Sequence, residues 1–134
     1  MTGVYIIGGS GYTGGELIRI LEKHPKIDEI SVSSRRYEGK DVTELHPYLK
    51  KGLKFEDYDQ KKANDCDFVF TCTPHTKAME FSKEIETKIV DLSADFRLKD
   101  VKTYEETYKV KHTAPEMIGE AVYGLPELHR GGIK

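Results

Sequence analysis

Residues Gly8-Gly9-Ser10-Gly11-Tyr12-Thr13-Gly14-Gly15 constrain the fold of this chain more than any other stretch, because of what flanks them. Before them runs Val4-Tyr5-Ile6-Ile7, a β-branched and aromatic run that reads as a buried strand. After them comes Glu16-Leu17-Ile18-Arg19-Ile20-Leu21-Glu22-Lys23, apolar on one side and charged on the other, which reads as a helix. Strand, glycine turn and helix together open a dinucleotide-binding βαβ unit. In that reading Gly9 permits the tight turn, Gly11 lets a pyrophosphate approach the backbone, and Gly14 lets the helix lie close to the strand. The diphosphate rests against unpaired N–H groups at the positive end of the helix dipole. Alone, G-x-G-x-x-G describes any glycine-rich strand-to-helix turn, and the flanks are what give it weight. No Gly-Lys-Ser/Thr follows, which excludes the phosphate loop of an NTPase.

The rest of the chain continues the alternation. His24-Pro25 ends the first helix, since the residue before a proline avoids the α region. Glu29-Ile30-Ser31-Val32-Ser33 predicts a second strand, parallel to the first. Tyr37 to Tyr58 is polar, holds Gly39, Pro47 and Gly52, and reads as loop with one short strand near Leu53–Phe55. Asp67-Phe68-Val69-Phe70-Thr71-Cys72 predicts a buried strand stopped by Pro74. Thr76 to Glu86 predicts a helix with Ala78, Phe81 and Ile85 as its apolar stripe, and Lys88 to Leu92 a further short buried strand. A short helix is expected around Asp100–Tyr108. Strands alternating with helices give the fold class: α/β, a Rossmann-type doubly wound parallel sheet with helices on both faces.

The second strand chooses the coenzyme. Its end, about 20 residues past the glycines, reads the adenosine ribose, and an Asp or Glu there marks NAD. Here that place holds Ser33-Ser34-Arg35-Arg36, a hydroxyl and two guanidinium groups that match a 2′-phosphate in charge and geometry. The expected cofactor is NADP(H), although two adjacent arginines are also an ordinary solvated loop pair. Residues 1–134 are accordingly read as one NADP-binding domain.

Ligand contacts in this architecture come from the carboxyl ends of the strands. Thr73-Pro74-His75-Thr76 ends one strand and Ser93-Ala94-Asp95-Phe96-Arg97 the next. Cys72 with His75 offers a thiolate–imidazole reading, but Cys72 also suits the last buried residue of its strand. Asp95 and Arg97 either pair with each other across a turn or leave Arg97 to hold an anionic substrate. No residue is assigned a catalytic role.

Composition narrows the partners. A net charge of −2 and a pI of about 6.2 offer no basic field for nucleic acid. No apolar run approaches the roughly 18–20 residues that span a bilayer, so no membrane partner is expected. The N-terminus enters a strand directly, without a signal-peptide pattern. Two cysteines make neither a disulfide framework nor a metal site, and a reducing cytoplasm is the expected location.

The glycine stretch Gly8 to Leu17, Ser34-Arg35-Arg36, Pro74-His75, Val90-Asp91-Leu92-Ser93-Ala94-Asp95-Phe96-Arg97-Leu98 and Tyr123-Gly124-Leu125-Pro126-Glu127-Leu128 resemble the N-acetyl-γ-glutamyl-phosphate reductase family. The resemblance covers essentially the whole chain. It implies NADPH-dependent reduction of an acyl phosphate to a semialdehyde in arginine biosynthesis. A related branch acts on aminoadipate or glutamate borne by a small acidic amino-group carrier protein, for lysine or arginine synthesis. Ser34-Arg35-Arg36-Tyr37, His46-Pro47 and Arg97-Leu98-Lys99-Asp100 leading to Tyr104 look more like that branch. The substrate is therefore a small-molecule acyl phosphate or the same group on a carrier.

By matching motif, the resemblance assigns Gly8, Ser10, Gly11, Tyr12, Thr13, Gly14, Ser34, Arg35 and Arg36 to the cofactor, with Pro74 and His75 beside the nicotinamide. Arg97 and Glu127 are assigned to the substrate cleft. The family's cysteine nucleophile follows the Pro-Glu-Leu motif in a segment these residues do not include. The expectation is the cofactor half of a longer enzyme, with NADPH binding but no turnover of its own. The family's remaining domain mediates oligomerisation, so a homo-oligomer is expected at full length, with apolar surface exposed here near Val122, Tyr123, Leu125 and Leu128. Two rival readings remain: an aspartate-semialdehyde dehydrogenase-like enzyme, against which the Ser-Ala-Asp-Phe-Arg-Leu run argues, and a non-catalytic NADP(H)-binding sensor.

Overall fold

Five short strands run in one direction through the centre of the molecule, a computed structural model that describes residues 1–133. In chain order they are β1 (Gly3–Ile7), β2 (Glu29–Ser33), β3 (Phe55–Glu56), β4 (Phe68–Thr71) and β5 (Lys88–Asp91). Across the sheet they lie β3-β2-β1-β4-β5, every pair parallel. The chain winds outward from β1 through β2 to β3, then returns to the other side of β1 for β4 and β5. That reversal creates a crevice at the carboxyl ends of β1 and β4, where open parallel sheets bind ligands.

Among the described residues three α-helices lie between strands, α1 (Tyr12–Leu21), α2 (Gln60–Asp65) and α3 (Lys77–Ser82), and two follow β5, α4 (Val101–Tyr108) and α5 (Pro126–His129). The period-2 pleat of β1 divides the core. Val4 and Ile6 join Ile18 and Leu21 of α1, Val32, Val42, Leu49 and Phe55 on one face. Tyr5 and Ile7 join Ala63 of α2, Val69 and Ile85 on the other. Tyr5 is fully buried, and its hydroxyl accepts the Asp59 N–H at 3.0 Å, tying the start of α2 to the sheet. A third cluster, Met79, Tyr104 and Ala114, locks α3, α4 and the following loop together.

Several boundaries differ from the sequence reading for local reasons. Helix α1 begins at Tyr12, four residues before the amphipathic pattern, because Gly14 and Gly15 are buried helical glycines that carry no periodic signal. It ends at Leu21, ahead of His24-Pro25, with Lys23 and His24 continuing as turns onto Ile20 and Leu21. Helix α3 stops at Ser82 instead of Glu86, although Phe81 and Ile85 still pack into the core. Strand β5 is not buried as its residues suggested: it is the edge of the sheet, with Lys88 and Val90 exposed on one face and Ile89 and Asp91 half-buried on the other. Helix α2 was not expected: it is short and polar, and is capped by Asp59, whose carboxylate accepts the Lys62 N–H at 3.0 Å. The loop from Tyr37 to Tyr58 holds a one-turn 3-10 helix at Val42–Glu44, closed by a reciprocal Asp41/Glu44 capping box.

Val122, Tyr123, Leu125 and Leu128 are 46%, 56%, 46% and 73% exposed, the apolar surface expected of this segment. Among the described residues no helix is long and apolar enough to cross a membrane.

Candidate functional site

The crevice is built around the turn from β1 into α1. Gly8 adopts φ +78, so the left-handed turn falls on Gly8 and not, as the motif suggested, on Gly9. The Gly8 and Gly9 N–H groups both donate to Ser33 O, at 3.1 and 3.0 Å, which fastens the turn to the end of β2. Gly9 is a place of close approach: a Cβ there would lie 2.1 Å from Val32 Cγ2. A Cβ on Gly14 would lie 2.5–2.6 Å from the Gly9 backbone, so Gly14 does set the helix against the turn. Gly11 is the N-cap of α1, exposed, with nothing within 4 Å of its missing Cβ.

No side chain caps α1, and Tyr12 and Thr13 are exposed, leaving the first-turn N–H groups open toward solvent. An open Gly11, an uncapped helix start and a turn without side-chain obstruction together fit a diphosphate, which such a helix end attracts. The sequence reading gave His46 no role here. It is buried, and its Nε2–H donates to Gly9 O at 3.2 Å, holding the turn from below. Gly15 makes room for it, since a Cβ there would meet His46 Nδ1 at 2.6 Å and the Tyr48 hydroxyl at 2.5 Å. His46-Pro47 stood out in the chain, but no local pattern links it to a turn some 37 residues earlier.

Ser34, Arg35 and Arg36 follow directly on the carbonyl that holds Gly8 and Gly9. Ser34 is buried and donates its N–H to Glu56 O at 2.9 Å. Arg35 and Arg36 are exposed, with the Arg36 guanidinium 5.4 Å from the Tyr37 ring centroid. Among the described residues neither arginine enters an ion pair, so both charges remain available to an anion.

The exit of β4 abuts the glycine turn. A Cβ on Gly8 would touch Thr73 Cγ2 at 3.0 Å and Cys72 O at 3.1 Å. Pro74 and His75 are exposed on this loop. His75 Nδ1 accepts the Ala94 N–H at 3.1 Å, and its ring lies 5.6 Å from that of Tyr108. Cys72 is half-buried, and its thiol is pushed up to about 12, chiefly by burial and then by the Asp91 carboxylate. With Nδ1 of His75 committed to Ala94 and the thiol held protonated, the two do not form a thiolate–imidazole couple. At pH 8 the Cys72 thiolate falls to about one molecule in ten thousand, against about one in four for an unperturbed cysteine. Iodoacetamide is therefore expected to label Cys72 on the order of a thousand-fold more slowly than a free thiol, read by mass spectrometry. Labelling at the rate of a free thiol would restore it as a nucleophile.

Asp95 and Arg97 do not pair. Asp95 is fully buried and accepts from Thr76 N–H, Met79 N–H and the Tyr104 hydroxyl. Arg97 is exposed, its guanidinium 5.8 Å from the Tyr123 ring centroid. Lys99 Nζ donates to Ala121 O, so residues 97–99 face residues 121–123. Glu127 is exposed in the first turn of α5, four residues beyond Tyr123. Among the described residues no three His, Cys, Asp or Glu side chains converge as metal ligands.

Comparison with known proteins agrees with this geometry. The family model described as semialdehyde dehydrogenase, NAD binding domain, matches residues 3–134. The N-acetyl-gamma-glutamyl-phosphate reductase of Methanopyrus kandleri is 51% identical over 100% of this chain and 41% of its own length. That of Archaeoglobus fulgidus is 49% identical over 98% of this chain and 40% of its own. The LysW-L-2-aminoadipate/LysW-L-glutamate phosphate reductase of Sulfurisphaera tokodaii is 46% identical, over 100% and 40% respectively. The chain thus spans about two-fifths of the length of these relatives. Among solved structures, aspartate semialdehyde dehydrogenase with NADP from Candida albicans superposes with a TM-score of 0.62 at 17% identity, covering 75% of this chain and 32% of that one, a likeness of fold.

Proposed function

Since the chain belongs to the semialdehyde dehydrogenase family, as its NAD-binding domain, we propose that it is the cofactor-binding part of a cytoplasmic, NADPH-dependent reductase. That enzyme converts an acyl phosphate into a semialdehyde in arginine or lysine biosynthesis. The observation that carries the reading is the uncapped start of α1 beside Arg35 and Arg36 at the end of β2, which enter no ion pair among the described residues. The α1 amides and Gly11 hold the diphosphate, and Arg35 and Arg36 hold the 2′-phosphate that separates NADP from NAD. The coenzyme, when bound, supplies a hydride. Pro74 and His75 border its nicotinamide end, and Arg97 and Glu127 line the substrate side.

Residues 1–134 act in this reading as a single domain that binds and orients without performing the acyl transfer. Cys66 lies at the amino end of β4, away from the crevice, and Cys72 is held as a thiol. The nucleophile therefore belongs to another part of the enzyme. The acyl phosphate is N-acetyl-γ-glutamyl phosphate, in line with the names of two relatives, or an aminoadipyl or glutamyl phosphate linked to LysW, in line with the name of the third, with LysW read as a small acidic carrier protein. Assaying the whole enzyme with the free acetylated substrate and with the carrier-bound one separates these.

Isothermal titration with NADPH and NADH tests the coenzyme. The protein is expected to prefer NADPH, and Arg35→Ala/Arg36→Ala to reduce that preference by about 10- to 100-fold. A preference that survives the double substitution removes these arginines from the 2′-phosphate site.

A further inference from the structure

At the carboxyl ends of β4 and β5 two loops are clasped by a reciprocal pair of contacts. The Ala94 N–H donates to His75 Nδ1 at 3.1 Å; one residue on, the Thr76 N–H donates to Asp95 Oδ1 at 2.8 Å. Asp95 also receives the Met79 N–H on Oδ2 at 3.0 Å and the Tyr104 hydroxyl on Oδ1 at 2.8 Å. Its backbone is fixed in turn: its N–H donates to Ser93 Oγ at 3.2 Å, and its carbonyl accepts His112 Nε2–H at 2.6 Å. Thr76, at φ +80 and ψ −22, occupies a left-handed conformation that β-branched residues rarely adopt. Such strain persists only where the surroundings over-determine it. Here the carboxylate of Asp95 grips the backbone on both sides, at Thr76 and at Met79.

We propose that Asp95 is the positioning residue of the 73–76 loop, holding His75 so that Ala94 occupies its Nδ1 and its Nε2–H is presented as a hydrogen-bond donor at the nicotinamide side of the crevice. The identity of the ligand rests on the NADPH reading above; the clasp itself does not. A neutral imidazole has one donor and one acceptor nitrogen, and an amide N–H can only donate, so Nδ1 carries the lone pair and Nε2 the proton. The chemistry calls for a carboxylate. Both oxygens of Asp95 face donors, and the amide NH2 of an asparagine would confront an N–H on one side whichever way it turned.

Two measurements decide it. Nitrogen-15 spectroscopy of the His75 ring at neutral pH is expected to show the Nε2–H tautomer in the wild type and a tautomer mixture in Asp95→Asn. Binding of NADPH is expected to weaken about 10-fold in Asp95→Asn, roughly the worth of one hydrogen bond, while binding of adenosine 2′,5′-bisphosphate changes less than about two-fold. Tyr104→Phe, which removes one donor and leaves the carboxylate, is expected to move both readouts the same way by a smaller amount. An Nδ1–H wild-type ring, or an equal change for both ligands in the variants, overturns the proposal. A wild type that binds neither ligand overturns the NADPH reading instead, and the ring spectrum still decides the clasp.

Discussion

Gly14→Ala is expected to destabilise the domain by about 2 kcal/mol and to weaken NADPH binding by about 100-fold, the worth of roughly two lost charge-assisted amide contacts. Alanine is the better helix former, and its intrinsic preference over glycine favours the substitution by about 1 kcal/mol. The steric effect outweighs this. The new methyl would lie 2.5–2.6 Å from Gly9 Cα, C and O, and these are backbone atoms with no rotamer to turn away. Overpacking of this kind costs about 1–3 kcal/mol or more, and relief requires α1 to move off the glycine turn, taking its free amides with it. Gly11→Ala is the control. Nothing lies within 4 Å of a Cβ there, so stability should hold to within about 0.5 kcal/mol while the methyl blocks the approach of the diphosphate. Urea denaturation and NADPH titration on both variants separate the two effects. A Gly14→Ala protein with wild-type midpoint and affinity would show that the helix does not need this contact.

Asp95→Ala should be more damaging to folding, by about 3–5 kcal/mol. The substitution leaves the Thr76 and Met79 N–H groups and the Tyr104 hydroxyl without an acceptor at a fully buried position. Each orphaned buried donor costs about 1–3 kcal/mol, with relaxation keeping the total below their sum. Tyr104→Phe removes a single donor, leaves the others satisfied and should cost about 1 kcal/mol. Equal midpoints for Asp95→Ala and Tyr104→Phe in urea would mean that the carboxylate does not carry the network. The loss belongs to the third core cluster, so the β1–β2 half of the sheet should be the last part to lose its protection in hydrogen exchange.

Much of the scaffold is legible in the residues alone. Strands β1 and β4 announce themselves as β-branched and aromatic runs, because an inner parallel strand is covered on both faces and needs continuous hydrophobicity, whereas β2 and β5 are marked only by β-branched residues between polar ones. The start of α1 and the whole of α2 carry no such mark. Tyr12-Thr13-Gly14-Gly15 has no apolar period, since its buried face is made of glycines that exist to let backbone come close. Helix α2 is six residues held by a cap at Asp59 and by one buried alanine, too little for periodicity to register. In the site, the residues assigned to the coenzyme sit where the spacing put them, at the carboxyl ends of β1, β2 and β4. The pairing offered for Asp95 and Arg97 fails because nearness in sequence says nothing about which donors a buried carboxylate will find.

Local composition thus determined the strand–glycine–helix opening, the absence of an acidic residue at the end of β2, and the alternation that makes the sheet parallel. These depend on side-chain period and backbone freedom within a few residues. Only the tertiary structure decided which glycine takes the left-handed turn, that His46 supports that turn from 37 residues away, and that Asp95 clasps the His75 loop. Those are hydrogen bonds between groups distant in the chain, and their partners are chosen by the packing of the sheet.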